Sequence, residues 1–260
     1  LRNNDYDIIF DIHSVFRTRV LSLFLRRNLF KQIRKPRMRR FMLFYAHQNY
    51  FEKSFSHIKM YHTLLDEDKT FPPTNLFIDS GEDKETKVFL NKNNIGENYI
   101  AIVPGAAWSQ KQWSIENYNK LMRRLIDSFK SKIVILGSTN DIICDQIIKD
   151  DNIINLKDKT SLRMAMGIVK HAKHTLGSDT GLLHISEAMG TPVTMILGPT
   201  SQETGARVTL HDSKVIENKD LWCRPCSQNG SRPCYRKEQY CMREIDSEKV
   251  FNNVSQALRV

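Results

Sequence analysis

From residue 99 onward, short apolar runs alternate with longer segments whose apolar positions recur every three or four residues. "YIAIVPG" (99–105) reads as a buried strand. "SIENYNKLMRRLIDSFK" (114–130) reads as a helix capped by Ser114, with Glu116 in the first turn, where the helix dipole favours an acid. "KIVILG" (132–137) is the next strand. A helix from about Asn140 to Lys149 follows, then a strand "IINL" (153–156), a helix "SLRMAMGIVKHA" (161–172) behind a Thr160/Ser161 cap, and a strand "HTLGS" (174–178). "GLLHISEAM" (181–189) is a helix closed by Gly190, Pro192 starts the strand "PVTMILG" (192–198), and "KVIEN" (214–218) is a further strand. This alternation predicts an α/β fold with parallel strands, right-handed crossovers and helices on both faces, a Rossmann-like unit from about 86 to 245.

The earlier residues repeat the theme on a smaller scale. "YDIIFDIH" (6–13) reads as a strand and "SVFRTRVLSLFLRR" (14–27) as the amphipathic helix after it. The expectation is a second Rossmann-like unit present only in part, entered one or more strands late. "DEDKTFPPTNLFIDSGEDKE" (66–85), polar and with a Pro-Pro pair, reads as a linker. The predicted organisation is therefore a partial N-terminal unit with linker over 1–85, and a C-terminal unit over 86–260 that includes a Cys-rich loop and a terminal helix.

Composition limits this picture without changing it: 40% hydrophobic and 26% charged residues are ordinary for a globular protein. No apolar run reaches the roughly 18 residues of a membrane span, and "LRNNDYD" lacks a basic-then-apolar leader pattern. The expected location is cytoplasmic. Charge does change the picture. A net +10 implies an anionic partner: nucleic acid, a phospholipid surface or a phosphorylated substrate. The excess is concentrated in "RRNLFKQIRKPRMRR" (26–40), with eight Lys or Arg and no acid.

Ligands of open parallel sheets lie beyond the carboxyl ends of the strands. The stretch "SDTGLLH" enters a helix there, so its free N–H groups and the positive helix end favour phosphate. Thr180, Gly181 and His184 share the first-turn face, and Gly181 admits a ligand close to the backbone. Asp179 reads either as a helix N-cap or as a functional acid. A second loop, "PGAAWSQKQWS" (104–114), offers Lys111 as a point charge for phosphate, and a third, "LGPTS" (197–201), offers Thr200.

"PGAAWSQKQWSIENYNKLMRRL", "VILGSTND", "SLRMAMGIVKHAKHTLGSDTGLLHISEAMGTPV" and "ILGPT", in this order over residues 6–258, resemble the bacterial ADP-heptose:lipopolysaccharide heptosyltransferase family. The resemblance implies a GT-B-like fold of two Rossmann-like domains facing a cleft, the N-terminal one incomplete here. It implies an inverting transfer of heptose from ADP-heptose to a lipopolysaccharide inner-core acceptor, with no metal or other cofactor required. By the same resemblance, Lys111 approaches the donor diphosphate, and Asp179, Thr180, Gly181 and His184 hold diphosphate and sugar. Thr200 lies in the matching Gly-Pro-Thr, and Asp141 stands where an acid binds the ribose. Lys111 and Asp179 are the candidate catalytic residues. Trp108 and Trp113 flank Lys111. The resemblance also implies a general base in a loop near the N-terminus, in a segment expected to be missing from this sequence, and Asp11 and His13 are not assigned that role. Arg37, Arg39 and Arg40 are candidates for acceptor phosphates or for peripheral contact with the inner membrane surface.

The chemistry suits these residue types. Cleaving a sugar–diphosphate bond leaves charge on the β-phosphate, which fixed N–H groups, a helix end and a lysine stabilise. Cys223, Cys226, Cys234 and Cys241 form C-x2-C-x7-C-x6-C, which reads as a metal-ligand set or as free thiols, since a reducing compartment disfavours a disulfide. Some members of the resembled family carry a similar Cys-rich tail. Two alternatives remain: a related transferase with another nucleotide sugar or acceptor, and a basic nucleic-acid-binding protein that would use residues 26–40 with Phe30, Phe41 and Tyr45. The second would have no need of Asp-Thr-Gly beside a phosphate-binding helix, so no nucleic-acid partner is expected.

Overall fold

The structure, a computed structural model, describes residues 6–25, 30–65 and 72–259. Residues 26–29 of the basic run, which hold the end of the helix predicted over 14–27, and residues 66–71 of the predicted linker lie outside the described residues. The chain divides into two units, Leu1–Pro72 and Pro73–Val260.

In the first unit, β1 (Ile9–Asp11) pairs in parallel with β2 (Phe30–Gln32), joined through α1 (Phe16–Phe24). Helices α2 (Arg37–Tyr45) and α3 (His57–His62) follow, and Ile33, Met60 and Leu64 form a small core. The Asp11 carboxylate closes the turn after β1: it accepts from His13 N at 2.9 Å, Ser14 N at 2.8 Å and Gln32 Nε2 at 2.5 Å. Burial pushes its pKa up, but these bonds and Thr18 outweigh it and hold the group at about 2.

The second unit starts at the Pro-Pro pair, not at residue 86. The polar stretch that reads as linker contains the start of α4 (Ser80–Lys92). Asp79 accepts from Glu82 N at 2.8 Å while Glu82 returns a bond to Asp79 N at 2.9 Å, a reciprocal cap that starts a helix in charged sequence. Thr86 and Leu90 are the side chains it buries.

Six parallel strands make the sheet: β3 (Tyr99–Val103), β4 (Lys132–Ile135), β5 (Ile153–Asn155), β6 (His174–Ser178), β7 (Val193–Leu197) and β8 (Lys214–Glu217). Their order is β5-β4-β3-β6-β7-β8. Alternation along β3 sends Ile100 and Ile102 to one face and Tyr99, Ala101 and Val103 to the other, all buried. The first face packs on α5 (Ile115–Phe129) and α9 (Ser247–Leu258). The second packs on α4, α6 (Leu162–His171) and α7 (Gly181–Ala188). Burial on both faces is why β3 and β4 read as apolar runs. Ser114 and Ser161 cap α5 and α6 by accepting from Asn117 N and Met164 N. A short α8 (Tyr240–Arg243) precedes α9.

The helix predicted over 140–149 is replaced by one 3-10 turn, Ile142–Gln146. Side chains take the backbone groups a helix would have used: Asn155 Nδ2 donates to Cys144 O at 2.8 Å, and Asn119 Oδ1 accepts from Ile148 N at 3.1 Å. The β-branched isoleucines of "DIICDQII" add no helix propensity to oppose this.

Candidate functional site

The chain runs from β3 outward to β4 and β5, then returns to β6 beside β3 and runs the other way to β7 and β8. The sheet therefore switches direction between β3 and β6, where the loops after both strands diverge and leave a crevice. A methyl on Gly177 would lie 2.3 Å from Val103 O, so the two strands approach closely at this point.

Asp179, the first residue after β6, is the centre of the site. Its Oδ2 accepts from Lys111 Nζ at 3.0 Å and from Thr200 Oγ1 at 3.1 Å, and its Oδ1 lies 3.2 Å from His184 Nε2. Facing a carboxylate, that nitrogen carries the hydrogen. Three loops at the carboxyl edge, after β3, β6 and β7, thus converge on one acid with the first turn of α7. Lys111 and Asp179 side chains are 12% and 14% exposed. Burial pushes the Asp179 carboxyl up, but the His184 bond and the charge and bond of Lys111 outweigh it, leaving a pKa of about 2. So acidic a group is a poor general base and a good fixed anchor.

The N-cap position of α7 belongs to Thr180, not to Asp179. Thr180 Oγ1 is buried without a hydrogen-bond partner at the helix end. Nothing lies within 4 Å of a methyl built on Gly181. The ground above the first turn is therefore open, with free backbone donors and the positive helix end facing it. An anion fits here.

Asp141 stands outside this hydrogen-bonded set. Its Oδ2 accepts from Ser138 N at 2.6 Å and Ser138 Oγ at 2.8 Å, and its carboxylate lies against Gly105, where a methyl would come within 2.0 Å of Oδ1. Gly105 belongs to the same loop as Lys111. Trp113 is core: it donates Nε1 to Ile245 O at 2.7 Å and packs edge-on against Tyr118. Trp108, 42% exposed, is the tryptophan of this loop that presents a surface.

The Cys-rich segment supplies two residues that its cysteines concealed. Gly230, at φ +85°, lies over Lys111, where a methyl would come within 2.5 Å of Cγ. Gly230→Ala is expected to be strained in its backbone and to push the Lys111 stem aside, lowering the melting temperature. The other is Arg224, whose guanidinium joins this segment to the loop after β7. The signal for Gly230 was a glycine within a loop, and nothing in the pattern marked Arg224. The cysteines themselves are free thiols. Burial pushes Cys226 up and Cys241 to about 11. Among the described residues, no group of three or more His, Cys, Asp or Glu is placed to hold a metal ion.

In the first unit the three candidate arginines separate. Arg37 donates to Ser14 O, and Arg40 Nη2 lies 2.8 Å from His57 Nε2. Burial, then Arg40 and Lys35, push the His57 pKa down, so His57 accepts as a neutral ring. Arg39 alone of the three lines a cavity of about 620 Å³, with Arg34, Lys35, Lys59 and Glu52 around a floor of Phe55, Met60 and Leu64. At 100° per residue, Arg37 and Arg40 share one side of α2 and Arg39 is turned away from both.

The model of glycosyltransferase family 9 (heptosyltransferase) matches residues 1–235. The chain belongs to glycosyltransferase family 9. Lipooligosaccharide heptosyltransferase 2 of Campylobacter jejuni subsp. jejuni serotype O:6 is 27% identical over 165 residues, 61% of this chain and 51% of that protein. The chain thus spans about half the length of the curated relatives it matches. Among solved structures, the Escherichia coli ADP-heptose LPS heptosyltransferase II is similar at TM-score 0.68 and 20% identity, with 98% of this chain and 77% of that one covered. The family 9 glycosyl transferase from Veillonella parvula is similar at TM-score 0.74 and 17% identity, with 99% and 75% covered. At these identities the likeness is one of fold, and it bears out the parallel α/β, GT-B-like class expected from the sequence. Among the described residues, no helix of this family 9 chain is long and apolar enough to cross a membrane.

Proposed function

We propose that this family 9 chain carries the donor site of an inverting heptosyltransferase that moves a heptose from ADP-heptose to a lipopolysaccharide inner-core acceptor. The observation that carries the reading is the Asp179 cluster at the β3/β6 switch point, beside the open first turn of α7. The names of the C. jejuni and E. coli relatives support the sugar and the acceptor class.

In this reading the diphosphate sits on the N–H groups from Thr180 onward, with Thr180 Oγ1 as a further donor. Lys111 turns from Asp179 toward the β-phosphate when the diphosphate binds, so the negative charge that develops as the sugar bond breaks meets a positive group already in place. Asp179 holds Lys111, His184 and Thr200 in register and remains ionised. Asp141, in the loop after β4, takes the ribose. No divalent metal is called on, because the lysine and the helix end answer the leaving-group charge.

The acceptor falls to the first unit, through its basic cavity. Its four cations against one acid suit an acceptor carrying phosphate or carboxylate groups, on the cytoplasmic surface of the inner membrane. Arg39→Glu with Lys59→Glu is expected to weaken binding to anionic vesicles and to flatten its salt dependence. Arg37→Glu or Arg40→Glu would disturb Ser14 and His57 as well, so those variants report on folding. Vesicle partitioning unchanged at low salt would contradict the cavity's role. The donor assignment is tested by thermal stabilisation: ADP-heptose should raise the melting temperature and UDP-glucose at the same concentration should not.

A further inference from the structure

We propose that Arg224 is a positioning residue for the donor site, acting through Thr200; this rests on the donor reading above. Arg224 lies between two cysteines of the Cys-rich segment, yet its side chain is 5% exposed and turned inward. Nε donates to Gly198 O, Nη1 to Asn218 O at 2.6 Å, and Nη2 to Thr200 O at 3.1 Å and Glu217 Oε2 at 2.9 Å. Two residues on, Cys226 N and Ser227 N both donate to Pro199 O, at 3.1 and 3.2 Å. The three successive carbonyls of Gly198, Pro199 and Thr200 are therefore all held by residues 224–227.

The other side of this turn is closed as well, since a methyl on Gly198 would come within 2.4 Å of Met242 Sδ. Clamped in this way, the turn aims the Thr200 hydroxyl at Asp179 Oδ2. The charge of Arg224 is answered by Glu217, so its effect on a ligand is geometric rather than electrostatic. Thr200 then keeps Asp179 in place when Lys111 leaves it for a diphosphate. A planar fork spans three carbonyls and a carboxylate at once, whereas a lysine ammonium keeps the charge and loses that geometry.

The test is ADP binding by calorimetry, with melting temperature recorded for each protein. Arg224→Lys is expected to weaken ADP binding about tenfold, as a displaced supporting group does. Thr200→Val should weaken it to a similar degree, and Thr200→Ser, which keeps the hydroxyl, should restore it. The double variant Arg224→Lys/Thr200→Val should bind no worse than the weaker single one, because both act on one hydroxyl–carboxylate contact. A general loss of stability would instead multiply the two effects. Multiplying effects, or ADP affinity of Arg224→Lys within about threefold of the unaltered protein, would overturn the proposal. If Arg224→Lys fails to fold, the Thr200 pair decides: Val and Ser binding ADP equally well would overturn it. Absence of ADP binding by the unaltered protein would instead overturn the donor reading, and this proposal with it.

Discussion

Asp179→Asn is expected to destabilise the protein by about 3–5 kcal/mol at neutral pH, the range for removing one partner of a buried ion pair. The substitution leaves Lys111 nearly buried with its charge unanswered, and an amide NH₂ in the space where three donors met. Urea unfolding at pH 7 measures the loss. Acid titration gives an independent check. The folded pKa of Asp179, about 2, lies below its unfolded value of 3.8. The ionised carboxylate therefore contributes stability that is fully present above about pH 4 and is lost as pH falls toward 2, about 2 kcal/mol in all. The difference between wild type and Asp179→Asn should shrink by that amount over the same window. A difference independent of pH would mean that the carboxylate is not ionised against Lys111.

Lys111→Ala is expected to reduce transition-state stabilisation by about 2–4 kcal/mol, the range for losing one preorganised donor at a developing charge. Measured as kcat/KM for transfer from ADP-heptose by a transfer-competent enzyme carrying this site, that is roughly 30- to 1000-fold. A solvated loop lysine is ordinarily removable with almost no effect on folding. The structure alters that expectation: Lys111 answers a buried acid, so the variant should also lose about 1–3 kcal/mol of stability. Lys111→Arg separates the two effects, since it keeps a charge for Asp179 but not a compact ammonium for a β-phosphate. Turnover of Lys111→Ala within about threefold of wild type would remove Lys111 from the reaction.

What the sequence disclosed followed from local rules. The inner strands of the second sheet are buried on both faces, so apolar runs such as "YIAIV" marked them, and Ser114 and Ser161 announced their helices through side-chain caps. Lys111, Asp179, His184 and Thr200 were legible because each lies at the end of a strand or in the first turn after one. Their convergence on a single carboxylate was not, since it depends on strand order, and β3 and β6 are separated by 70 residues of chain before they pair. Arg224 was hidden by chemistry rather than distance: within "CRPC" the cysteines draw the eye, and an arginine that bonds backbone carbonyls leaves no periodic trace. The helix α4 was hidden by its own polarity, and the absent helix at 140–149 by two asparagines, one on α5 and one on β5, that took its backbone partners.

Whether a nucleoside diphosphate is held at the β3/β6 switch point is decided by a crystal structure of this chain grown with ADP. The diphosphate is expected on the backbone N–H groups from Thr180 onward, with Lys111 Nζ within hydrogen-bond reach of the β-phosphate and the ribose toward Asp141. ADP bound elsewhere, for instance in the cavity of about 500 Å³ beside Glu217 and Lys249, with the Lys111–Asp179 pair undisturbed, would contradict it.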